Sequence, residues 1–521
     1  MRSCKMNFFI NGGLARTNSG VEHAILKRLQ LFRDHDVPAM LVATDFFYDL
    51  HRNAVIWGLP ESQLLGLHDW FIDARDFVGQ GAPKLSDYPM PAGMVELQTG
   101  NAQLRQFAFD GQTTSLIDVN ADANGDIYAV SYFDQNRRQT RAEWYDPRGF
   151  IIAEDRYIML ADKNVRESRA FYSPTGQLKM LYTMAHDRTD IDEFEMVSVF
   201  DYHGHDYQFF GTDELFRFFF DEINQAFGGA NAFIADRGIT EAWALNNMQT
   251  RAFKTFILHA GHLNDETAPN GLVNYNYQYE FDNIGDFNAV IVPTQIQLDR
   301  VANRFGYRER FFKIPVGMIS DAVLSEPVKP SIERQPQTVV TVSRLDEAKQ
   351  IDHLIDAMAI VHEQLPQAQL EIWGNGSDDG RLRDQIARLD ATDYVHLMGH
   401  TTAVLEKLAN AQLFVAASRS EGFGLTMMEA ESVGTPIIAY DALYGPREIV
   451  QPGVNGQLIG LHDPDNVQQM AHWIQHYLSN QQALAALMAS TLEAHMAYSE
   501  TAVWQAWQNW LTAIAEWRQA K

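Results

Sequence analysis

The strongest constraint on the fold is a break in hydrophobic rhythm. Before residue 83 and after residue 207, short apolar runs alternate with helix-period segments, the pattern of strands and crossover helices. Between about Pro83 and Tyr207 the helical period disappears. Short alternating runs take its place at Ile127 to Phe133, Ala142 to Tyr145, Phe150 to Tyr157 and Lys179 to Thr183, each ended by turn residues. Asp110, Asp122, Asp134 and Asp146 recur every twelve residues, and Gly111, Gly125, Gly149 and Gly176 mark turns. A chain written this way is α/β with an antiparallel β-meander inserted in its first half. An inserted sheet leaves a face or an edge to cover, so the meander reads as an element that binds a partner or a polymer.

The first α/β stretch opens with a strand at Asn7 to Asn11, then Gly12-Gly13, then a helix from about Val21 whose N-cap is Asn18 or Ser19. Ala39 to Thr44 is the next strand. After the meander come a helix at Asp213 to Phe227 and strands at Ala232 to Asp236, Thr255 to Leu258 and Ala289 to Pro293. The strand ending at Leu258 runs directly into His259-Ala-Gly-His262. A second α/β unit begins near Pro330. Its strands at Thr338 to Val342, Leu370 to Trp373, Val395 to Met398, Leu413 to Ala417 and Ile437 to Tyr440 each lead into a polar or glycine-containing loop. Ser499 to Gln519, with Trp504, Trp507 and Trp510, is a terminal helix.

At the carboxyl ends of such strands, ligands bind. The loop after Leu413 to Ala417 reads Glu-Gly-Phe-Gly-Leu-Thr-Met-Met-Glu, so Glu421 and Glu429 straddle a glycine turn that opens a helix. Backbone N–H groups from Gly422 through Phe423 and Gly424 to Leu425 point at an anion there. Arg344 and Lys349, five apart, bring a guanidinium and an ammonium to the loop after the first strand of this unit, the charges a diphosphate needs. Glu429 can accept both hydroxyls of a ribose, and Glu421 faces the group beyond the phosphates. The set describes a nucleoside diphosphate joined to something rich in hydroxyls.

Ser343-Arg344 with Lys349, Gly374-Asn375-Gly376, and the Glu421/Glu429 pair together resemble the donor site of retaining glycosyltransferases of the GT-B fold. The resemblance implies two Rossmann-like domains facing across a cleft: residues 1–82 with 208–325 on the acceptor side, and residues 326–498 for the donor. The meander occupies 83–207, and the helix at 499–521 packs back towards the first domain. It also implies donor contacts from Arg344, Lys349, Gly374, Asn375, His400, Gly422, Phe423, Gly424, Leu425 and Glu429. Gly13, Ser19 and Gly20 form the acceptor-side phosphate loop. The catalytic set is Glu421, Arg344, Lys349 and the histidine after the strand, which is His259, with His262 the alternative sugar contact.

Asn18-Ser-Gly-Val-Glu-His23, the meander and His-Ala-Gly-His narrow the resemblance to one bacterial subgroup. It joins the teichoic-acid α-glycosyltransferases with the enzymes that O-glycosylate serine-rich adhesins. The first expectation is transfer of glucose from UDP-glucose to poly(glycerol phosphate). The alternative is transfer of GlcNAc or glucose to Ser/Thr of an adhesin, with a homo-oligomer or a partner subunit formed through the meander. A non-catalytic sugar-nucleotide subunit is disfavoured because Arg344, Lys349, Glu421 and Glu429 are all present.

Composition sets the remaining limits. A formal net charge of −26 disfavours general nucleic-acid binding, which needs a positive surface. Arg137, Arg138, Arg141 and Arg148 are the meander's own resource for a polyanionic acceptor. One cysteine, Cys4, disfavours a thiolate metal site. The Asp-x-Asp sequences at Asp34, Asp190 and Asp463 stand in helix-end or loop contexts, so neither metal nor cofactor is expected. No apolar run has the length of a membrane span, and a cytoplasmic protein, at most peripheral to the inner membrane face, is expected.

Overall fold

The computed structural model describes residues 5–160, 162–185 and 193–520; Cys4 and Asp190 lie outside the described residues. The chain divides into two compact units, Met1–Lys254 and Thr255–Lys521.

In the first unit the strand Asn7–Asn11 is flanked in parallel by Ala39–Ala43 and Ala232–Ala235, with Leu64–Gly66 beyond Ala39–Ala43. Every residue of these strands is buried, as expected of parallel strands covered on both faces. Helix Gly20–Asp34 makes the first crossover. Ser19 is its N-cap and forms a capping box with Glu22. Asn18 turns the chain before it, accepting from the Ala15 N–H at 3.0 Å.

The insertion is a single ten-stranded antiparallel sheet, paired in chain order from Met94–Leu97 to His205–Phe209. The run at Ile127–Phe133 is as the alternation predicts, and the others lengthen to Gln139–Asp146, Phe150–Leu160 and Leu178–Ala185. Strands such as Lys163–Tyr172 escape a sequence reading because their charges are paired within the sheet. Arg169 Nε donates to Asp155 Oδ1 at 2.6 Å, and the Asp155 carboxylate is fully buried. Three of the four aspartates in the twelve-residue repeat are turn devices. Asp122 Oδ1 accepts from the N–H groups of Asn124 and Asp126, Asp134 Oδ1 from Asn136 and Arg138, and Asp146 Oδ1 from Arg148, all within 3.0 Å. One edge of the sheet is the short strand Met94–Leu97, whose Glu96 pairs with Arg105.

The second unit contains two parallel arrays. In one, Phe253–Ile257 pairs with Ala289–Val292 and that with Phe311–Lys313. The other has six strands in the order Val395–Gly399, Gln369–Trp373, Thr338–Val342, Leu413–Ala416, Ile437–Tyr440, Gly456–Ile459. Numbered along the chain this is 3-2-1-4-5-6, the doubly wound order whose ligand crevice lies between strands 1 and 4. Leu354, Ile355, Met358 and Val361 of helix Ile351–Gln364 bury one face of this sheet, with Met470 and Ile474 of helix Asn466–Ser479 beside them. The terminal helix Glu500–Gln519 is capped by Ser499, and its buried Trp510 donates Nε1–H to Thr255 Oγ1 at 3.2 Å. No helix of the described residues is long and apolar enough to cross a membrane.

Candidate active site

The switch point collects the residues that the sequence singled out. Strand Thr338–Val342 ends at Ser343, and the loop to Lys349 crosses the carboxyl edge of the sheet. Strand Gln369–Trp373 ends at Gly374, where a Cβ would strike the Ser343 carbonyl; at Gly376 it would strike the Leu345 carbonyl. The two loops are bonded directly, with Leu345 N–H on the Asn375 carbonyl at 2.9 Å. Glycine is therefore required here by the neighbouring backbone, and the Asn375 side chain is left exposed. Strand Leu413–Ala416, on the other side of Thr338–Val342, leads into Glu421 and the helix Leu425–Ser432.

Lys349 and Glu421 meet across this switch point as an ion pair, both side chains mostly buried, at 17% and 19% exposure. Arg344 is different. Its guanidinium is 75% exposed and rests against Asp346 Oδ2 at 3.1 Å. Gly424 is left-handed (φ 91°) and forms the N-cap of the glutamate helix. Phe423 is buried and anchors the turn between Gly422 and Gly424. On the helix behind, Glu429 is half-buried. Glu431 turns into the core, accepts from Asn455 Nδ2 at 2.7 Å, and is pushed by burial up to about 7. His400 lies exposed beyond the end of strand Val395–Gly399, at the far edge of the same loop face.

The histidine loop adjoins the glutamate loop. A Cβ on Gly422 would collide with the His259 carbonyl and the Ala260 Cα, so the two backbones touch. The two histidines have separate situations. His259 is half-exposed, its N–H held by the Tyr277 hydroxyl at 3.0 Å. His262 is buried, with Nδ1 3.1 Å from the Tyr444 hydroxyl. Burial, with Arg304 and Arg300 nearby, pulls His262 down to about 4, so it is neutral.

Tyr444 and Glu266 were not singled out by the sequence. The Tyr444 hydroxyl donates to Glu266 Oε2, and Glu266 Oε1 accepts from the Leu263 N–H at 3.0 Å. Burial raises both groups, so Tyr444 stays protonated. Nothing in linear spacing announces Glu266; its signal is spatial, since its carboxylate fills the volume a side chain at Gly261 would take.

The glycine loop of the first unit is equally ordered. Asn11 Nδ2 donates to the Gly13 carbonyl at 3.0 Å and to Glu22 Oε1 at 3.3 Å. Arg237, also missed, reaches Glu22 Oε1 at 2.7 Å and Ser19 Oγ at 3.1 Å, just before Gly20 starts the helix.

The meander arginines require a correction, because the basic patch they were expected to supply is largely neutralised. Arg137 pairs with Asp118, Arg141 with Glu143 and Glu154, and Arg148 with Asp69 and Asp146. Arg138 is exposed. Antiparallel neighbours of opposite charge satisfy one another before any ligand arrives. His51, Asp69 and Asp146 lie close enough to ligate a metal, but the Arg148 guanidinium already joins the two carboxylates. Burial alone pulls His51 down, yet its bonds to Asp69 and Glu61 outweigh that and hold it up at about 9, cationic at neutral pH. This group is an ion-pair network. Of the Asp-x-Asp sites, Asp34 ends helix Gly20–Asp34, and Asp463 and Asp465 precede helix Asn466–Ser479, all exposed.

Residues 325–492, the part of the chain that holds Arg344, Lys349, Glu421 and Glu429, match the family profile of glycosyl transferases group 1. Those residues form a group 1 glycosyltransferase domain. This glycosyltransferase is 28% identical over 473 residues to the GtfA subunit of UDP-N-acetylglucosamine–peptide N-acetylglucosaminyltransferase from Streptococcus pneumoniae, covering 86% of this chain and 87% of that protein. It is 23% identical over 480 residues to the poly(glycerol-phosphate) alpha-glucosyltransferase of Bacillus subtilis, covering 89% of this chain and 68% of that protein. The crystal structure of the pneumococcal O-GlcNAc transferase GtfA with UDP and GlcNAc superposes with a TM-score of 0.84 at 23% identity, over 98% of this chain and 99% of that one. The glycosyltransferase thus has the GT-B fold with an inserted antiparallel sheet.

Proposed function

We propose that the protein is a retaining, UDP-sugar-dependent glycosyltransferase that moves N-acetylglucosamine or glucose to Ser/Thr hydroxyls of a polypeptide. The observation that carries the reading is the Lys349–Glu421 pair at the switch point of the six-stranded sheet. Lys349 exchanges Glu421 for the diphosphate when the donor enters, and Arg344 turns from Asp346 to join it. Glu429 holds the ribose. Glu421, released, takes hydroxyls of the transferring sugar, with His259 as the second contact. The glycine loop at Gly13, Ser19 and Gly20 keeps the acceptor-side role that the resemblance gives it.

In the reaction, the bond from the anomeric carbon to the diphosphate oxygen breaks as the acceptor oxygen adds to the same face. The acceptor proton passes to the departing diphosphate oxygen, so no protein base and no metal is needed. Lys349 and Arg344 stabilise the negative charge growing on the leaving group. Preorganised donors of this kind contribute about 3–4 kcal/mol each.

Three observations favour a polypeptide over poly(glycerol phosphate). The meander's Arg137, Arg141 and Arg148 are already paired with carboxylates, and the chain carries a net charge of −26. The pneumococcal peptide-modifying relative also aligns along 87% of its length, against 68% for the glucosyltransferase of the polymer. The polymer is the second reading, supported by that same relative. The deciding assay offers labelled UDP-GlcNAc and UDP-glucose with a Ser/Thr-rich polypeptide and, separately, with poly(glycerol phosphate). Label on the polypeptide supports the proposal. Label on the polymer alone replaces it with the second reading, and no turnover of either donor sinks both.

A further inference from the structure

The groups proposed to touch the sugar, Glu421 and His259, stand on separate loops, and one buried side chain joins those loops. The Glu421 carbonyl accepts from the N–H groups of Tyr444 at 2.6 Å and Gly445 at 3.1 Å, and the Glu421 N–H donates to the Leu443 carbonyl at 3.2 Å. Residue 421 is thereby bridged to Tyr444 as in a strand pair. From the other end of Tyr444 the hydroxyl donates to Glu266 and accepts from His262 Nδ1–H, the direction that a neutral His262 and a single hydroxyl proton require. Glu266 and His262 belong to the segment that begins with His259. That segment is fixed by the Tyr277 hydroxyl, bonded to the N–H groups of His259 and Ala260, and by Gln297 Nε2 on the Ala260 carbonyl at 2.8 Å.

We infer that Tyr444 is a positioning residue for sugar transfer: its hydroxyl, held by Glu266 and His262, sets the spacing between the Glu421 carboxylate and the His259 side chain. Three features make this more than a packed core. Tyr444 is fully buried, yet its hydroxyl meets two polar side chains of the histidine segment, His262 and Glu266. Gly261 carries no side chain where the Glu266 carboxylate lies, so the loop is shaped around that carboxylate. Gly422 and Gly445 likewise leave no room for a Cβ against His259 and Phe423, so the loops cannot shift without breaking the Tyr444 links. Donor affinity comes from elsewhere, from Arg344, Lys349 and Glu429. Tyr444 therefore governs the chemical step and leaves nucleotide binding alone.

This inference rests on the proposed activity, and its test separates the two. Tyr444→Phe removes only the hydroxyl. It lowers kcat about tenfold while the Kd for UDP stays within about twofold. Glu266→Gln keeps an acceptor oxygen for the Tyr444 hydroxyl and retains most of kcat, whereas Glu266→Ala falls with Tyr444→Phe. A Tyr444→Phe enzyme with wild-type kcat overturns the inference. So does one whose kcat, UDP affinity and melting temperature fall together, the mark of a residue that only stabilises. Should the wild-type protein turn over neither UDP-GlcNAc nor UDP-glucose, the functional reading fails, and the positioning role is read from hydrogen–deuterium exchange at 421–425. Faster exchange there in Tyr444→Phe but not in Glu266→Gln upholds the coupling, and unchanged exchange removes it.

Discussion

Two buried polar clusters, one where the meander joins the first α/β element and one at the switch point, look alike in residue type and differ in how they are closed. The first joins His51, Asp69, Arg148 and Asp146, with Glu61 outside. Its guanidinium also caps the Ala74 carbonyl at 2.8 Å, and both His51 nitrogens are engaged. The second contains Lys349, Glu421, Tyr444, Glu266 and His262, and beside it stand the groups proposed to meet the donor: a half-exposed His259, a half-buried Glu429 and an Arg344 lying in solvent. A network satisfied on every side fixes structure. A network with detachable ends is built to change partners, and burial of charge alone does not tell them apart.

The largest effect expected from that difference is at the open cluster. Glu421→Ala or Lys349→Ala lowers donor turnover about 10²–10³-fold, read in a coupled UDP-release assay, with a loss of thermal stability far too small to account for it. Wild-type turnover in both would erase the distinction between the clusters. Arg148→Ala does the reverse: it leaves the buried Asp146 without its cation and Asp69 with His51 alone, and costs about 3–5 kcal/mol in urea unfolding, with turnover per folded molecule unchanged.

The two histidines sharpen the comparison through pH. His51, held at about 9 against an ordinary 6.5, is protonated in the fold, so its contribution is complete below pH 6.5 and is lost as pH rises towards 9. His262, pulled down to about 4, is neutral in the fold, so its contribution is present above pH 6.5 and is lost as pH falls towards 4. Melting temperature measured against pH therefore slopes down on the alkaline side in wild type, a slope that His51→Gln flattens, and on the acid side with a slope that His262→Gln flattens. Parallel profiles for wild type and variants would remove the electrostatic contrast. The smallest effect is at the repeat: Asp134→Ala, losing the turn bonds to Asn136 and Arg138, costs about 1 kcal/mol and leaves turnover untouched.

Much of this was legible in the sequence, for identifiable reasons. Strands Thr338–Val342 and Leu413–Ala416 are buried on both faces, so their apolar runs are unbroken and their ends are marked. Lys349, Glu421 and Glu429 stand at fixed offsets from those ends, which is why spacing alone could nominate them. The meander was harder, since strands such as Lys163–Tyr172 bury charge by pairing it across the sheet, and pairing is invisible in one dimension. The same limit hid Glu266 and Tyr444, which lie 178 residues apart. It also made Arg148 look like a surface cation, when its partner Asp69 lies 79 residues away.

The strand order of the second sheet also bears on how the protein matures. Lys349 and Glu421 are 72 residues apart and meet only when the fourth strand seats beside the first. Strands two and three must by then have been laid down on the opposite side. Closing so long a loop comes late in folding, so a partly made chain has a lysine and a glutamate but nowhere to receive a donor. Nucleotide binding is thus a property of the completed sheet, and UDP, by binding only that state, would raise the melting temperature in proportion to the logarithm of its concentration.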